Sequence, residues 1–330
     1  PVLKSEFIAE HPPVPSCHAS TIVETAEGMV AAWFGGTAEG NPDVGIWMSR
    51  QVKGEWTAPV EVATGVLPAG GRVPCWNPVL FLPKGGPLTL FYKVGPSPSK
   101  WWGMVRTSTD NGVTWSEGIK LDDGILGPIK NKPVQLPDGA ILCPTSTETS
   151  TKPSAWRVHF ERSADLGRTW TTSQPASAGE PPIDAIQPSI LFLGGDKLMA
   201  IGRTRQAKLF QVTSDDLGRT WGTMSLLGLP NPNSGTDAVT LKDGRHMLIY
   251  NHTAKGRSPL NLAVSKDGKE WQAAVVLEDE PKAEFSYPAI IQAADGLVHV
   301  TYTWKRQKVK HAVIDISKLT LKPIVDGVWP

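Results

Sequence analysis

The sequence predicts an all-β fold, a six-bladed β-propeller of four-stranded antiparallel blades, and three observations point to it. One octet pattern, Ser-x-Asp-x-Gly-x-Thr-Trp, recurs along the chain at nearly even spacing. Turns of the Asp-Gly or Gly-Gly kind, set between short apolar runs, recur in step with it. A content of 32 glycines and 29 prolines among 330 residues suits many short strands joined by tight turns better than long helices.

Full copies of the octet run from Ser108 to Trp115, Ser163 to Trp170 and Ser214 to Trp221. A copy one residue shorter spans Ser265 to Trp271, and a worn one spans Ser49 to Trp56. The closing tryptophans therefore lie 50 to 59 residues apart. Self-similarity at such a period marks an array in which each repeat is one supersecondary unit. Inside the octet, Asp supplies an Asx-type bond to the backbone and Gly tolerates a positive φ. The tryptophan buries a large apolar face and keeps its N–H for a partner. The octet is thus architectural, with its aspartates remote from any chemistry.

Hairpins fill the intervals. Apolar runs flank Glu27-Gly28 in 21–31, Asp138-Gly139 in 134–142 and Gly194-Gly195 in 189–198. The same grammar surrounds Asp243-Gly244 in 239–249 and Asp295-Gly296 in 289–300. Asp-Gly between apolar runs is the strongest short-range hairpin signal. Each hairpin followed by its octet makes one repeat; these begin near Thr21, Val79, Val134, Ser189 and Val239. A sixth begins at Ala289 without an octet, and its strands at 297–303 and 310–316 run toward the C-terminus. The segment 2–8 is expected to supply its missing outer strand, closing 1–330 as a single propeller domain without an exposed sheet edge.

Bulk properties exclude several classes. At 40% hydrophobic, 20% charged and net charge +1, neither disorder nor a polyanion-binding surface is indicated. The run Lys305-Arg306-Gln307-Lys308-Val309-Lys310 is short and fits an exposed strand end, so nucleic acid is not an expected partner. Cys17, Cys75 and Cys143 form no C-x-x-C pair, and no ligand cluster with metal spacing occurs; no metal or cofactor is expected. Whether two of the three pair is left open by their spacing. No run of 18 apolar residues exists to span a membrane. The compartment is open, with a secreted or periplasmic location slightly favoured if a leader has been removed.

In a propeller the innermost strands converge on the axis, so polar residues at matching places in the repeats gather in one cavity. In chain order those places hold His18, Glu39 and Asp43, then Asn77 beside Trp76, then Lys93 with Trp101 and Trp102. Next come Lys130-Asn131-Lys132, Gln187, Arg203 and Arg205. The last two repeats add Asn233 with Asp237, Asn251 with Arg257, Glu284 to Tyr287, and Trp304 with Arg306. Amides and charges for hydroxyls, with aromatic faces for a ring, suit an oligosaccharide or polysaccharide partner.

The octets are Asp boxes, and the whole chain resembles the sialidase (neuraminidase) superfamily in its BNR-repeat, sialidase-like branch. Asn231-Pro232-Asn233-Ser234-Gly235-Thr236-Asp237, Glu284-Phe285-Ser286-Tyr287-Pro288 and Val300-Thr301-Tyr302-Thr303-Trp304 look like signatures of that branch. The resemblance implies an exo-acting glycosidase. It assigns the nucleophile to Tyr287, eight residues before Asp295. Its assisting carboxylate falls on Asp237, and its proton donor on Glu39 or Asp43 in the loop after the first hairpin. Lys93, Trp102, Lys132, Gln187, Arg203, Arg205, Asn233, Asn251, Arg257, Trp304, Arg306 and Asn77 are the expected substrate contacts.

Departures from the family pattern bear on the substrate. Sialidases clamp a carboxylate with three arginines, but His18 stands in the first place and Asn251 in the second, with Arg257 near the third. Neither an imidazole nor an amide reproduces a bidentate guanidinium fork. Ordinary sialic acid is therefore not the expected sugar. The same resemblance extends to propellers that act on uronate-containing glycans as lyases, where His18 with Tyr287 would move protons. A non-catalytic glycan-binding propeller is the third alternative.

Overall fold

The computed structural model describes residues 1–330 and consists of six antiparallel sheets arranged as propeller blades. Blade 1 carries Ser16–Thr25, Gly28–Gly36 and Gly45–Val52. Blade 2 carries Cys75–Phe81, Leu88–Val94, Trp102–Ser108 and Ile119–Lys120. In blade 3 the inner strand is only Val134–Gln135, followed by Ile141–Glu148, Trp156–Ser163 and Thr171–Thr172. Blade 4 comprises Ala185–Gly194, Lys197–Thr204, Lys208–Ser214 and Ser225–Pro230. Blade 5 comprises Asp237–Thr240, His246–Tyr250, Leu260–Ser265 and Trp271–Glu278. Blade 6 is built from Phe285–Gln292, Val298–Trp304 and Lys308–Ile314, and Val2–Phe7 pairs antiparallel on its outer edge. No helix is long and apolar enough to cross a membrane.

Two blades depart from four strands. In blade 1 the outer position is split, with both Glu55–Trp56 and Val60–Ala63 pairing on Gly45–Val52. In blade 5, Lys322–Pro323 adds a fifth strand against Trp271–Glu278, because the chain leaving blade 6 folds back over its neighbour.

The hairpins are set by their turn residues. At Asp138, Asp243 and Asp295 the carboxylate accepts the N–H two residues on, at 3.0, 3.0 and 2.9 Å. The glycine between takes φ of 86°, 87° and 88°, where a side chain is strained. Alternate residues of each strand then fill the spaces between blades. One cluster joins Val30, Ala32 and Ile46 of blade 1 to Leu80, Leu90 and Tyr92 of blade 2. Others join blade 3 to blade 4 and blade 5 to blade 6. The core is thus a ring of sheet-to-sheet seams, and the axis is left to polar groups.

The octet closes on itself. Asp165 accepts from Ser163 Oγ at 2.8 Å, Thr169 N at 2.8 Å and Thr169 Oγ1 at 2.6 Å, while Gly167 N donates to Ser163 Oγ at 2.7 Å. Asp110 and Asp216 repeat this pattern. Trp170, Trp221 and Trp271 each return the indole N–H to a carbonyl within their own turn. The worn copy differs: Trp56 Nε1 donates to Glu6 of the N-terminal strand at 3.1 Å, tying blade 1 to the outer edge of blade 6.

These bonds hold the carboxyls of Asp110 and Asp165 down from 3.8 to about 2, chiefly through the side-chain and backbone donors of Thr114 and Thr169. A depressed folded-state carboxyl stabilises above its unfolded value and loses that contribution as the pH falls through the folded value. Asp165→Ala is therefore expected to lower the melting temperature near neutrality, and the gap to wild type should narrow as the pH falls from 3.8 toward 2. A pH series of thermal melts checks this; a constant gap would contradict it.

Cys17, Cys75 and Cys143 are all buried and unpaired. They lie in blades 1, 2 and 3, where burial pushes the thiols of Cys17 and Cys75 up to about 12 and raises that of Cys143.

Candidate active site

Four of the six inner strands share one irregularity that sequence periodicity does not show. Pairing with the second strand slips between His18 and Thr21, Trp76 and Val79, Ile186 and Ser189, and Ser286 and Ala289. Inside each slip a non-glycine residue takes a positive φ: Ala19 at 59°, Asn77 at 34°, Gln187 at 57° and Tyr287 at 48°. A bulge inserts one residue, bends the strand and re-aims a side chain. Such backbone costs on the order of 1–3 kcal/mol per residue and persists where the surroundings over-determine it. In three of the four, the next residue is proline: Pro78, Pro188 and Pro288. The repeated bulge places Asn77, Gln187 and Tyr287 on one cavity of about 110 Å³.

Tyr287 is half-buried and lines this cavity. Its phenolic oxygen receives Arg203 Nη1 at 3.0 Å and Gln187 Nε2 at 3.2 Å. No carboxylate hydrogen-bonds to it. Arg203 is buried and spends its whole fork on neutral acceptors: Asn233 Oδ1 from Nε at 3.0 Å and from Nη2 at 2.8 Å, the Asn233 carbonyl, Gln187 Oε1 at 3.3 Å, and Tyr287. Lys130 Nζ lies 5.6 Å from the phenol ring and donates to Pro288 O, Asn131 Oδ1 and Thr236 O at 2.6, 2.8 and 3.0 Å. Burial pulls the Lys130 pKa down to about 7, with Asp237 pulling the other way, yet three oxygens match the three donors of an ammonium, and we assign the charged form. Gly235 makes room for this packing, since a Cβ there would stand 2.8 Å from Tyr287 Cδ1 and 2.9 Å from Lys130 Cε.

The walls are aromatic and acidic. Trp76, Trp101 and Trp156 line the cavity together with Glu39 and Glu148. Arg306 donates to Glu39 at 2.6 Å and to Glu284 at 2.7 Å, and Arg257 meets Glu284 at 3.1 Å. Burial raises the Glu284 carboxyl, but Arg306 and Arg257 outweigh it and hold the group below its ordinary value. Glu148, by contrast, makes no side-chain hydrogen bond or ion pair, and burial raises its pKa against the opposing charges of Arg203 and Arg205. Asn77, 3% exposed, likewise spends no side-chain hydrogen bond inside the protein.

Several expected residues lie elsewhere. His18 is 1% exposed, stacks under Tyr287 with ring centroids 4.0 Å apart, and bonds Thr303 Oγ1 through Nδ1 at 3.0 Å. Burial, then the charges of Arg306, Arg257, Lys130 and Arg203, push its pKa well below the ordinary value, and its ring packs against Tyr287 without lining the cavity. Asp237 does not reach Tyr287. Its carboxylate holds Lys132 Nζ at 3.0 Å, Ser189 Oγ at 2.8 Å and Ile290 N at 2.9 Å, knitting blades 4, 5 and 6 together; Lys132 is spent on the same pair. Asp43 turns back onto Thr37 N and Oγ1, both at 3.0 Å, and only Glu39 of that loop lines the cavity.

Among the expected contacts, Asn77, Gln187 and Arg203 line the cavity, and Asn233 holds Arg203. Lys93 is buried between blades 2 and 3, where it donates to Pro128 O at 2.7 Å. Trp102 lines a separate cavity with Val66 and Lys120; its neighbour Trp101 takes the place expected of it. Asn251 donates to Pro259 O and Phe285 O at 2.8 and 2.9 Å and is closed off from solvent. Trp304 packs edge-on against Phe7, 5.1 Å away. Arg205 lies outside the wall, 3.9 Å over the Trp156 ring and near Asp184. Arg306 reaches the cavity wall through Glu39, and Arg257, paired with Glu284, stands 5.7 Å from the Tyr287 ring centroid.

Glu148 and Trp156 were missed; counted from the residue paired with the octet serine, Ile141 in blade 3 and Leu198 in blade 4, Glu148 stands in the register of Arg205, while Ser146 takes that of Arg203. No group of three or more His, Cys, Asp or Glu side chains stands ready to hold a metal. A larger cavity of about 780 Å³ lies on the outer side of blade 5, lined by Trp271, Gln272 and 323–327, far from the bulged inner strands.

Comparison with known proteins gives a consistent fold. A family described as "BNR repeat-like domain" matches residues 27–300. No curated protein sequence matches the chain significantly. Among solved structures, a protein of unknown function from Dyadobacter fermentans superposes with a TM-score of 0.77 at 18% identity, covering 95% of this chain and 98% of that one. The NanB sialidase of Streptococcus pneumoniae gives 0.75 at 14% identity, covering 96% and 71%. An intramolecular trans-sialidase from Ruminococcus gnavus gives 0.75 at 13% identity, covering 96% and 98%.

Proposed function

The chain belongs to the BNR repeat-like domain family, its fold is that of the sialidases, and from this premise we propose that it is a glycoside hydrolase releasing a terminal sugar other than ordinary sialic acid. The observation that carries the reading is the state of the cavity's polar groups. Asn77 and Glu148 line the same cavity as Tyr287 without side-chain hydrogen bonds to the protein, together with Trp76, Trp101 and Trp156. Buried polar groups cost free energy unless paired, so a cavity that leaves them unpaired is shaped for a polar ligand. Aromatic walls with a few convergent polar groups fit a sugar ring.

Tyr287 is the group assigned to attack the anomeric carbon. Arg203 and Gln187 orient it and stabilise negative charge on its oxygen as the reaction proceeds. His18 supports the ring from beneath. Sialic acid is disfavoured because His18 and Asn251, in two of the three clamp positions, are buried and occupied, while Arg257 is paired with Glu284. Arginine forks are what bind carboxylates in two-point fashion.

The test is a panel of oligosaccharides with neutral, uronate and sialic acid caps, with released sugar separated by chromatography. Release of one non-sialic cap supports the reading. Efficient release of sialic acid would refute the clamp argument. An unsaturated uronate, seen by its ultraviolet absorbance, would replace hydrolysis with elimination, and binding without turnover would make the propeller a lectin.

A further inference from the structure

We propose that Glu148, and neither carboxylate of the loop after the first hairpin, donates the proton to the departing glycosidic oxygen; the inference rests on the hydrolase reading above. Three carboxyl groups approach this side of the axis, and their partners separate them. Glu284 is committed to Arg257, Arg306 and Ser286 Oγ at 3.1, 2.7 and 3.0 Å. Glu39 shares Arg306 at 2.6 Å. Arg306 and Arg257 hold the Glu284 carboxyl below its ordinary value against burial, and an ionised carboxylate has no proton to give; Glu39 has its carboxylate tied to the Arg306 fork. Asp43, the other loop acid, is turned onto Thr37 and does not line the cavity.

Of these carboxyl groups, Glu148 lines the cavity with no partner. It ends the strand Ile141–Glu148 and pairs in register with Trp156, so its backbone is fixed by a regular ladder. The two nearest cations are both occupied elsewhere. Arg203 spends its fork on Asn233, Gln187 and Tyr287, and Arg205 stacks at 3.9 Å over the Trp156 ring. A half-buried carboxyl without an ion pair keeps its proton to higher pH, which general acid catalysis needs. A hydrophobic wall beside a lone carboxyl is the environment that separates an acid from its ionised neighbours.

The step balances as follows. Tyr287 gives its phenolic proton to water, its oxygen, held by the two N–H donors, bonds to the anomeric carbon, and the proton returns when that oxygen later departs. The bond from that carbon to the leaving oxygen breaks, and the leaving oxygen takes the Glu148 proton. In the second half the Glu148 carboxylate takes a proton from water, the water oxygen bonds to the anomeric carbon, and the tyrosine oxygen departs. One water is consumed and Glu148 is again protonated.

Glu148→Gln is nearly isosteric, and its thermal melt confirms folding. Its kcat/KM is expected to fall about 10²–10⁴-fold on a natural disaccharide of the released sugar. On the para-nitrophenyl glycoside of that sugar, whose leaving group departs unprotonated, cleavage of the glycosidic bond should be far less affected. The alkaline limb of the pH profile should vanish. In Glu148→Ala, azide should restore turnover of the nitrophenyl glycoside and yield the glycosyl azide, a rescue that a merely structural residue would not show. Equal losses on both substrates without azide rescue, or the same split in Glu39→Gln instead, would overturn the assignment while leaving the hydrolase reading in place. Wild-type protein that cleaves no member of the panel would overturn both.

Discussion

Tyr287→Phe is expected to lower kcat/KM by on the order of 10³-fold or more while leaving sugar binding and the melting temperature little changed. Only one oxygen is removed. The ring keeps its stack on His18, with centroids 4.0 Å apart, and its place against Lys130 and Gly235. Arg203 Nη1 and Gln187 Nε2 lose an acceptor that faces the cavity, where water can replace it. Chemistry and binding should therefore separate: calorimetry with the released sugar should give a similar affinity, while turnover collapses. Retained turnover would remove Tyr287 from the reaction. Lost binding with lost turnover would make it a contact residue only.

The second large effect concerns Arg203, which binds four acceptor groups at once. Arg203→Met leaves the half-buried Asn233 carbonyl and side-chain oxygen and the buried Gln187 Oε1 without donors. Unsatisfied buried acceptors cost roughly 1–3 kcal/mol each, partly relieved by relaxation, so a destabilisation of about 2–4 kcal/mol is expected. Arg203→Lys should be milder in stability and still severe in catalysis, because an ammonium cannot span Asn233 and Tyr287 with a planar fork. Denaturant unfolding and steady-state kinetics on both variants check this. If the lysine variant keeps full turnover, the fork does not position the phenol, and charge alone is enough.

Much of the architecture was legible from residue order. The octets and Asp-Gly turns close through bonds between residues two to four apart, such as Thr169 N to Asp165 and Arg245 N to Asp243. Gln187, Arg203 and Tyr287 were named as site residues because their repeats align. Lys93, Trp102, Asn251 and Trp304 were named by the same rule and point elsewhere. Alignment fixes a residue's distance from the axis and leaves open which face of the strand it occupies. A one-residue bulge exchanges those faces. Trp101 and Trp102, neighbours at the start of a strand that pairs without a bulge, show the alternation itself: one lines the candidate cavity and the other the side opening beside Val66.

What the sequence alone determined is the repeat, its turns and hence the radial plan, since each depends on chemistry confined to a few neighbouring residues. Only the tertiary structure decided that Asp237 serves Lys132, that His18 lies beneath Tyr287, and that Glu148 is the carboxyl without a partner. Arg203 and Tyr287 are 84 residues apart, and Gln187 and Tyr287 are 100 apart. Their contacts exist because the closed ring brings bulged inner strands to one axis, and the energy of each depends on partners that no local stretch contains.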